Sequence, residues 1–250
     1  MKQRADKILV ERGLAPTREK AQALILAGLV YLAEVRVDKP GQLLPEGTVP
    51  TVRGKACPYV SRGGLKLEAA LEAFHIEMNG AVCADIGAST GGFTDCLLQH
   101  GAGKVYAIDV GHGQLDSSLR ADQRVVNLEG VNARNLPPDF FPEAIALVTV
   151  DASFISLKLL LPSLHVSTPD ARIIVLVKPQ FEVGRKEASR GKGVVRDPAA
   201  RDRAVAEVCA CAAALGYTHL GTVESPARGP KGNVEFLVYL LPEEARSHES

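Results

Sequence analysis

Short apolar runs alternate with segments of helical periodicity from residue 61 onward. The runs have the length of buried strands and are separated by glycine, proline and polar residues. They predict seven strands, at 81–84, 105–109, 125–128, 144–150, 172–177, 217–224 and 233–241. Leucine- and alanine-rich patterns between them predict helices at 61–74, 93–100, 156–165 and 198–215. This alternation predicts an α/β domain with a central, mostly parallel sheet, whose last two strands form an antiparallel pair.

The first 60 residues show a different pattern. Two short helices are predicted there, at 4–12 and 18–27. Three short β-like segments follow, and then a polar stretch, 53–60, that we interpret as a linker. The chain is therefore predicted to have a small α+β domain at 1–60 and a larger α/β domain at 61–244.

One glycine-rich turn stands out after the first strand of the larger domain, in the segment Asp85 to Phe93. Its glycines permit a tight bend and a close approach to a ligand, and the helix that follows adds free N–H groups. The segment lacks the Gly-x-Gly-x-x-Gly of dinucleotide-binding turns. An acid two residues before the first glycine suits a ligand with a positively charged amino-acid end, which favours S-adenosylmethionine over NAD. The predicted cofactor-binding residues here are Asp85, Gly87, Ser89, Gly91, Gly92 and Phe93.

A simple strand-to-helix connection remains an alternative for that turn, but polar residues also follow three other predicted strands. Asp109 lies about 20 residues past the turn, where α/β nucleotide folds place an acid on ribose hydroxyls. Asn132 follows the third strand, where an adenine contact and an ordinary turn asparagine are both open interpretations. Asp151 follows the fourth strand, at the edge where open α/β sheets bind ligands. We predict all three as cofactor-binding residues.

Two lysines and two acids are predicted at positions where a charged side chain is costly unless it has a partner or a function. Lys66 lies in the first turn of a predicted helix, where the helix dipole disfavours a cation, and Lys178 directly follows a buried strand. Asp151 follows a strand as well, and Glu235 lies near the start of the last predicted strand. A lysine accepts a proton only if burial and a second cation destabilise its ammonium form, while acids hold it in place. These four residues are therefore the candidates for catalysis, with a surface role for Lys66 as the alternative.

Charge separates the two predicted domains further. The 250-residue chain has zero net charge, yet residues 1–66 hold 12 Lys and Arg against 6 Asp and Glu. A basic first quarter favours a nucleic-acid partner. The five cysteines include no Cys-x-x-Cys pair and no zinc-type histidine spacing, so no metal is expected. The absence of a signal-peptide core and of a membrane-length apolar run favours a cytoplasmic protein.

Motifs in both domains resemble known families. Arg4-Ala-Asp6, Thr17-Arg-Glu-Lys-Ala21 and Gly28-Leu-Val30 match the pattern of the S4 RNA-binding domain, although Leu32-Ala-Glu34 replaces its usual Val-Asn-Gly. The larger domain resembles the RrmJ/FtsJ class of RNA ribose 2'-O-methyltransferases. Nearly the entire chain resembles the hemolysin A (TlyA) family, through motifs that include Ser61-Arg-Gly-Gly-Leu-Lys66, the glycine turn and Lys178-Pro-Gln-Phe-Glu182.

The resemblance implies a Rossmann-like, S-adenosylmethionine-dependent methyltransferase domain with a seven-stranded sheet, preceded by an S4 domain. It implies 2'-O-methylation of cytidine in ribosomal RNA, with ribosomal RNA or ribosomal subunits as partners. By the same likeness Lys178 is the proton acceptor, Asp151 and Lys66 position it, and Glu235 completes the network. RNA contacts are expected from Arg4, Lys7, Arg18, Lys20 and Arg62.

Alternative interpretations remain at this stage. A solvated surface is the alternative for the basic residues of the small domain. The same fold without turnover would serve an RNA-binding or ribosome-binding factor, and the family label suggests a cytolysin. Methyl transfer to ribosomal RNA separates an enzyme from a binding factor, whereas lysis of red cells that does not depend on Lys178 would favour a cytolysin. The oligomeric state is not predicted.

Overall fold

A computed structural model describes residues 2–26, 28–33, 35–45, 47–53, 57–184, 191 and 193–243 of the chain. It separates the chain into two units, Met1–Pro58 and Tyr59–Ser250. The predicted boundary falls at residue 60, close to this division. Residue 244, the predicted end of the second domain, lies outside the described residues, as does Glu34 of the segment that departs from the S4 pattern.

The smaller unit combines two helices with two small antiparallel sheets. Its elements are β1 (Lys2–Arg4), α1 (Ala5–Glu11), α2 (Arg18–Leu26), β2 (Val30–Leu32), β3 (Val35–Arg36), β4 (Leu43–Pro45) and β5 (Thr51–Val52). Strand β1 pairs with β4, and β2 lies between β3 and β5. Leu9, Ala21, Ile25 and Val30 belong to one apolar core. The predicted α+β composition is confirmed, but β1 and β4 are additional, because short polar or proline-ended strands carry no alternating pattern.

The larger unit is built on a seven-stranded sheet. Its strands are β6 (Val82–Ile86), β7 (Lys104–Asp109), β8 (Val125–Glu129), β9 (Leu147–Val150), β10 (Arg172–Val177), β11 (Tyr217–Glu224) and β12 (Phe236–Pro242). They lie in the order β11, β12, β10, β9, β6, β7, β8. The strands from β10 to β8 are parallel, whereas β12 is antiparallel to both β10 and β11. The predicted mostly parallel sheet of seven strands is confirmed.

The helices of the larger unit are α3 (Gly63–Ala73), α4 (Gly92–Gln99), α5 (Ser117–Arg120), α6 (Leu161–Ser167), α7 (Pro179–Glu182) and α8 (Pro198–Ala213). The side chain of Asp197 caps α8 by accepting a hydrogen bond from the backbone N–H of Ala199. The predicted helix at 156–165 is instead a 3-10 turn followed by α6. Pro162 explains this break, because it has no N–H to donate to the carbonyl four residues before it. Within the described ranges, no helix is both long and apolar enough to cross a membrane.

The strand order places the candidate residues at the carboxyl ends of the parallel strands. All four residues of β9 are buried, as are Ile173–Val177 of β10, and each such aliphatic side chain contributes about 1.5–3 kcal/mol to folding. The order of the strands reverses at β6, which has β7 on one side and β9 on the other. Open α/β sheets bind ligands at such a point, outside the carboxyl ends of the strands. The residues that follow β6, β7, β9 and β10 therefore lie where a ligand is expected.

Candidate active site

The glycine turn follows β6 and lies directly against the backbone that follows β9. Gly87 has a φ of 83° and Gly91 a φ of 96°, both in the left-handed region. A methyl group on Gly87 would lie 2.8 Å from the carbonyl oxygen of Asp151, which is closer than a side-chain carbon tolerates. Glycine at this position therefore permits the turn to approach the end of β9.

The rest of the turn opens α4 against the start of α3. A methyl group on Gly92 would lie 2.9 Å from the backbone nitrogen of Gly64. Gly92 and Phe93 both line a cavity that also takes in Gly87 and Ser89. Gly91 does not line it, since Gly91 lies against the side chain of Leu119 and serves as the left-handed N-cap of α4.

Asp109 and Asn132 line a second, adjoining cavity of about 380 Å³. The carboxylate of Asp109, at the end of β7, accepts hydrogen bonds from the backbone N–H groups of Ser89 at 2.9 Å and Gly111 at 2.7 Å. The carboxamide oxygen of Asn132 accepts one from the backbone of Arg134 at 3.1 Å and caps a short 3-10 turn. The acid of β7 thus ties the glycine turn to the wall of this cavity.

Asp85 has a different setting from the predicted one. Its side chain is fully buried and lines neither cavity. Its carboxylate accepts hydrogen bonds from the hydroxyl groups of Thr94 at 2.7 Å and Thr149 at 3.2 Å. Burial raises the pKa of Asp85 to about 7, against the lowering effect of these hydrogen bonds. Asp85 therefore links β6 to α4 and β9 beneath the turn and is not placed to contact a cofactor in either cavity.

The two lysines and two acids of the sequence prediction lie on the wall of the first cavity, which has a volume of about 620 Å³. Lys178 Nζ lies 2.5 Å from Asp151 Oδ1, and Lys66 Nζ donates to Glu235 Oε2 at 2.6 Å. The Lys178 side chain is 8% exposed and that of Glu235 is 0% exposed. Each of the two lysines is therefore paired with one carboxylate.

Four different elements supply these side chains. Lys66 belongs to the first turn of α3, and Glu235 offsets the unfavourable helix dipole there by accepting its hydrogen bond. Asp151 follows β9, Lys178 follows β10, and Glu235 directly precedes β12. Gly229 makes room for Glu235, because a methyl group on Gly229 would collide with its carboxylate.

Several residues of the site were not predicted from the sequence. Lys178 Nζ donates to Ser153 Oγ at 2.7 Å, and Gln180 Nε2 donates to Glu235 Oε1 at 3.4 Å. Ser153 lies two residues after Asp151, and Gln180 two residues after Lys178. Proximity to the predicted acid and lysine was the signal available in the sequence.

The two cavities meet at the glycine turn and the end of β9. Both are lined by Gly87, Ser89, Asp151 and Ser153. The lining of the larger cavity contains five cationic and two acidic side chains among the described residues. Arg62, Arg228 and Lys231 are the cations beyond the two lysine–carboxylate pairs, and all three are exposed.

The predicted RNA-binding residues of the smaller unit divide into two groups. Arg4 and Arg18 both contact the fully buried carboxylate of Asp6, at 2.8 and 3.0 Å, and their own side chains are 43% and 52% exposed. Hydrogen bonds, first from Arg4 and then from Arg18 and Gln22, hold the pKa of Asp6 well below its usual range. Lys7 and Lys20 are exposed. Arg4 and Arg18 thus stabilise a buried charge in addition to any contact they make with RNA.

The residues that line the smaller cavity suit S-adenosylmethionine. The cavity is lined by the glycine turn at Gly87 and Ser89, by the acid at the end of β7 and by apolar side chains that include Val131 and Ile155, a combination that suits an adenosine group. Within the described part of the chain, no group of three His, Cys, Asp or Glu side chains is placed to hold a metal ion.

Known proteins are similar to this chain in sequence and in fold. The model of the FtsJ-like methyltransferase family matches residues 59–241, and the model of the S4 domain matches residues 3–49. A Bacillus subtilis protein described as "Putative rRNA methyltransferase YqxC" is 48% identical over 96% of this chain and 85% of its own length. The "16S/23S rRNA (cytidine-2'-O)-methyltransferase TlyA" of Mycobacterium tuberculosis is 47% identical over 98% of this chain and 91% of its own.

A solved structure, described as "Putative hemolysin from Streptococcus thermophilus", is 43% identical, with a TM-score of 0.77 over 98% of this chain and 90% of its own. The FtsJ-like family match spans every residue that lines the two cavities. It includes the glycine turn and the two lysine–carboxylate pairs. The cofactor of this fold is S-adenosylmethionine. The chain therefore belongs to the FtsJ-like methyltransferase family, with an S4 domain ahead of its methyltransferase domain.

Proposed function

We propose that the protein transfers a methyl group from S-adenosylmethionine to the ribose 2'-hydroxyl of a cytidine in ribosomal RNA, with Lys178 as the proton acceptor. The observation that carries this proposal is the pairing of two lysines with two carboxylates on the wall of the larger cavity. That cavity shares its Gly87 and Asp151 walls with the cavity that fits the cofactor.

The proposed cofactor site uses the backbone of Gly87, Ser89 and Gly92, together with the side chains of Asp109 and Asn132. When bound, S-adenosylmethionine supplies a methyl group on a sulfonium sulfur. The residues of the turn hold one end of the cofactor, and Asp109 is placed for the hydroxyls of its ribose. The acceptor hydroxyl would enter through the larger cavity, so that the two reactants meet beside Asp151.

Lys178 supplies the chemistry that the ribose hydroxyl lacks. A 2'-hydroxyl is a weak nucleophile at neutral pH, and a base that removes its proton as the new oxygen–carbon bond forms accelerates the reaction by about 10²–10⁴-fold. Lys178 is buried beside Asp151 and Ser153, and the Lys66–Glu235 pair lies on the same cavity wall. In its neutral form Lys178 takes the hydroxyl proton, and the resulting ammonium is stabilised by Asp151.

Three observations support a ribosomal RNA substrate. The cationic side chains at the larger cavity suit the phosphates that flank a target ribose. The smaller unit matches an RNA-binding domain and exposes Lys7 and Lys20. The M. tuberculosis relative is named as a cytidine 2'-O-methyltransferase of 16S and 23S rRNA. Such a substrate implies that the protein works in the cytoplasm, on free RNA or on ribosomal subunits.

The test compares two lysine variants in a transfer assay with a tritiated methyl donor and ribosomal RNA or ribosomal subunits. Lys178→Ala should abolish transfer and leave donor affinity, measured by calorimetry, nearly unchanged. Lys104→Ala is the matched control, because Lys104 begins β7 and ion-pairs with Glu143 away from either cavity. Equal transfer rates for the Lys178→Ala variant and the wild type would remove Lys178 from the mechanism.

A further inference from the structure

The loops that follow β9 and β10 contact each other at three successive points. Lys178 meets Asp151 and Ser153, Phe181 meets Phe154 with ring centroids 5.3 Å apart, and Glu182 meets the segment Ser156–Leu157. We call these three points the β9–β10 loop contact. It joins the segment that carries the proposed proton acceptor to the segment that lines both cavities.

Glu182 is a buried acid that has no part in the proposed chemistry, because it lines neither cavity. Its two carboxylate oxygens accept hydrogen bonds from Ser156 Oγ at 2.5 Å and from the backbone nitrogen of Leu157 at 2.8 Å. Burial raises its pKa, which these hydrogen bonds oppose. A buried carboxylate is costly, and this one is used to hold the end of the β9 loop against α7.

The β9 loop also contains an unusual backbone conformation. Phe154 has a φ of 65°, a left-handed value that costs a bulky residue free energy, and it is 91% exposed. Its ring contacts Phe181, and residues before and after it are also held, Ser153 by Lys178 and Ser156 by Glu182. The surrounding contacts therefore determine the path of the loop, and with it the position of the Ser153 hydroxyl.

Ser153 has a specific consequence for the amine of Lys178. A neutral amine has two N–H bonds and one lone pair, and only the lone pair accepts a proton. Two oxygens lie beside Nζ, Asp151 Oδ1 at 2.5 Å and Ser153 Oγ at 2.7 Å. The Ser153 hydroxyl accepts a hydrogen bond from Nζ, and Asp151 Oδ1 attracts a second N–H bond by its charge. With its two N–H bonds on these oxygens, the neutral amine has its lone pair on the remaining side, and Lys178 lines the larger cavity.

We propose that Ser153 and Glu182 are positioning residues for Lys178: Ser153 orients its lone pair toward the acceptor hydroxyl, and Glu182 fixes the loop that presents Ser153. This inference rests on the proposed function, because it assigns the orientation of the same proton acceptor. It concerns the maximal rate, since it assigns the two residues to the proton acceptor and to no contact with RNA.

The first test measures kcat, KM for RNA and donor affinity for Ser153→Ala and Ser153→Thr. A misplaced catalytic group costs up to about 100-fold in rate, so we expect Ser153→Ala to lower kcat by roughly 10- to 100-fold with KM and donor affinity little changed. Ser153→Thr keeps the hydroxyl and should restore most of the rate. An unchanged kcat for Ser153→Ala, or no rescue by threonine, would overturn the assignment of Ser153.

The second test needs no turnover. Hydrogen exchange of the amides in 151–157 is compared in the wild type, Glu182→Ala and the control Glu207→Ala, which removes an exposed acid paired with Lys158 on the surface. Faster exchange is expected in Glu182→Ala alone, and equal exchange in the two variants would contradict the role of Glu182. If the wild type methylates no ribose, the proposed function fails, and the exchange result still decides whether Glu182 fixes the loop.

Discussion

Each unit of the chain buries a carboxylate against cations, but the two clusters use different cations. In the smaller unit, Asp6 is held by Arg4 and Arg18, whose guanidinium groups reach the surface. In the larger unit, Asp151 and Glu235 are held by Lys178 and Lys66, which are themselves largely buried. Arginine keeps its proton at any physiological pH, whereas a buried lysine can lose one. The first cluster therefore keeps its charge, whereas the second contains Lys178, which we propose as the proton acceptor.

The most severe test of this difference replaces the lysine of the larger unit with the cation of the smaller unit, arginine. Lys178→Arg keeps the positive charge and the partner Asp151 but removes the ability to accept a proton. We expect it to lower the rate of methyl transfer by about 10²–10⁴-fold, as much as Lys178→Ala, because charge alone does not substitute for a base. Measured transfer to ribosomal RNA that stays near the wild-type rate would mean that Lys178 acts only through its charge.

The arginine cluster is tested by removing its carboxylate. Asp6→Asn should destabilise the smaller unit by about 1–3 kcal/mol, because the guanidinium groups of Arg4 and Arg18 lose a buried partner but still reach water. Native-state hydrogen exchange of the α1 and α2 amides measures this free energy of unfolding. Exchange in the larger unit, followed at α8, serves as the control.

The pH dependence of stability provides a second test of Asp6. The pKa of Asp6 is lowered on folding, so its contribution to stability is fully present above its unfolded pKa of about 3.9 and is lost as pH falls through the folded pKa. The smaller unit of the wild type should lose stability below about pH 4, and Asp6→Asn should lose less. Equal acid sensitivity in both proteins would show that Asp6 does not carry this term.

The smallest expected effect concerns the exposed lysines of the smaller unit. Lys7→Ala combined with Lys20→Ala leaves the Asp6 cluster intact, unlike substitution of Arg4 or Arg18. If each lysine contacts one phosphate, the slope of RNA affinity against salt concentration should fall by about one for each. Donor affinity should not change. A salt slope equal to that of the wild type would mean that these lysines face solvent in the complex.

The positions of the charged residues in the site could be predicted from the sequence, but their partners could not. Asp151 and Lys178 were predictable because each directly follows an apolar strand, and Glu235 because it lies near the start of one, positions where a charge is costly unless it is paired. The partner of Lys66 was not, since Glu235 lies 169 residues away and only the completed sheet brings it to α3. Pairing across such a distance depends on strand order, which periodicity does not report.

Asp85 and the arginines of the smaller unit show the limits of motif-based assignment. Asp85 stands in the glycine turn motif, yet its side chain points toward Thr94 and Thr149 beneath the turn. Arg4 and Arg18 belong to the S4 pattern, and that pattern includes Asp6, the carboxylate that they hold. A motif thus combines residues that contact a ligand with residues that support them, and only the three-dimensional contacts separate the two.

We propose that this chain methylates a ribose oxygen of cytidine in ribosomal RNA. The most direct measurement incubates the protein with ribosomal RNA or ribosomal subunits and a methyl-labelled donor, digests the RNA to nucleosides and identifies the labelled product by mass spectrometry. We expect label in 2'-O-methylcytidine for the wild type and none for Lys178→Ala. Label on a base, label in another nucleoside, or no label from any of these substrates would contradict it.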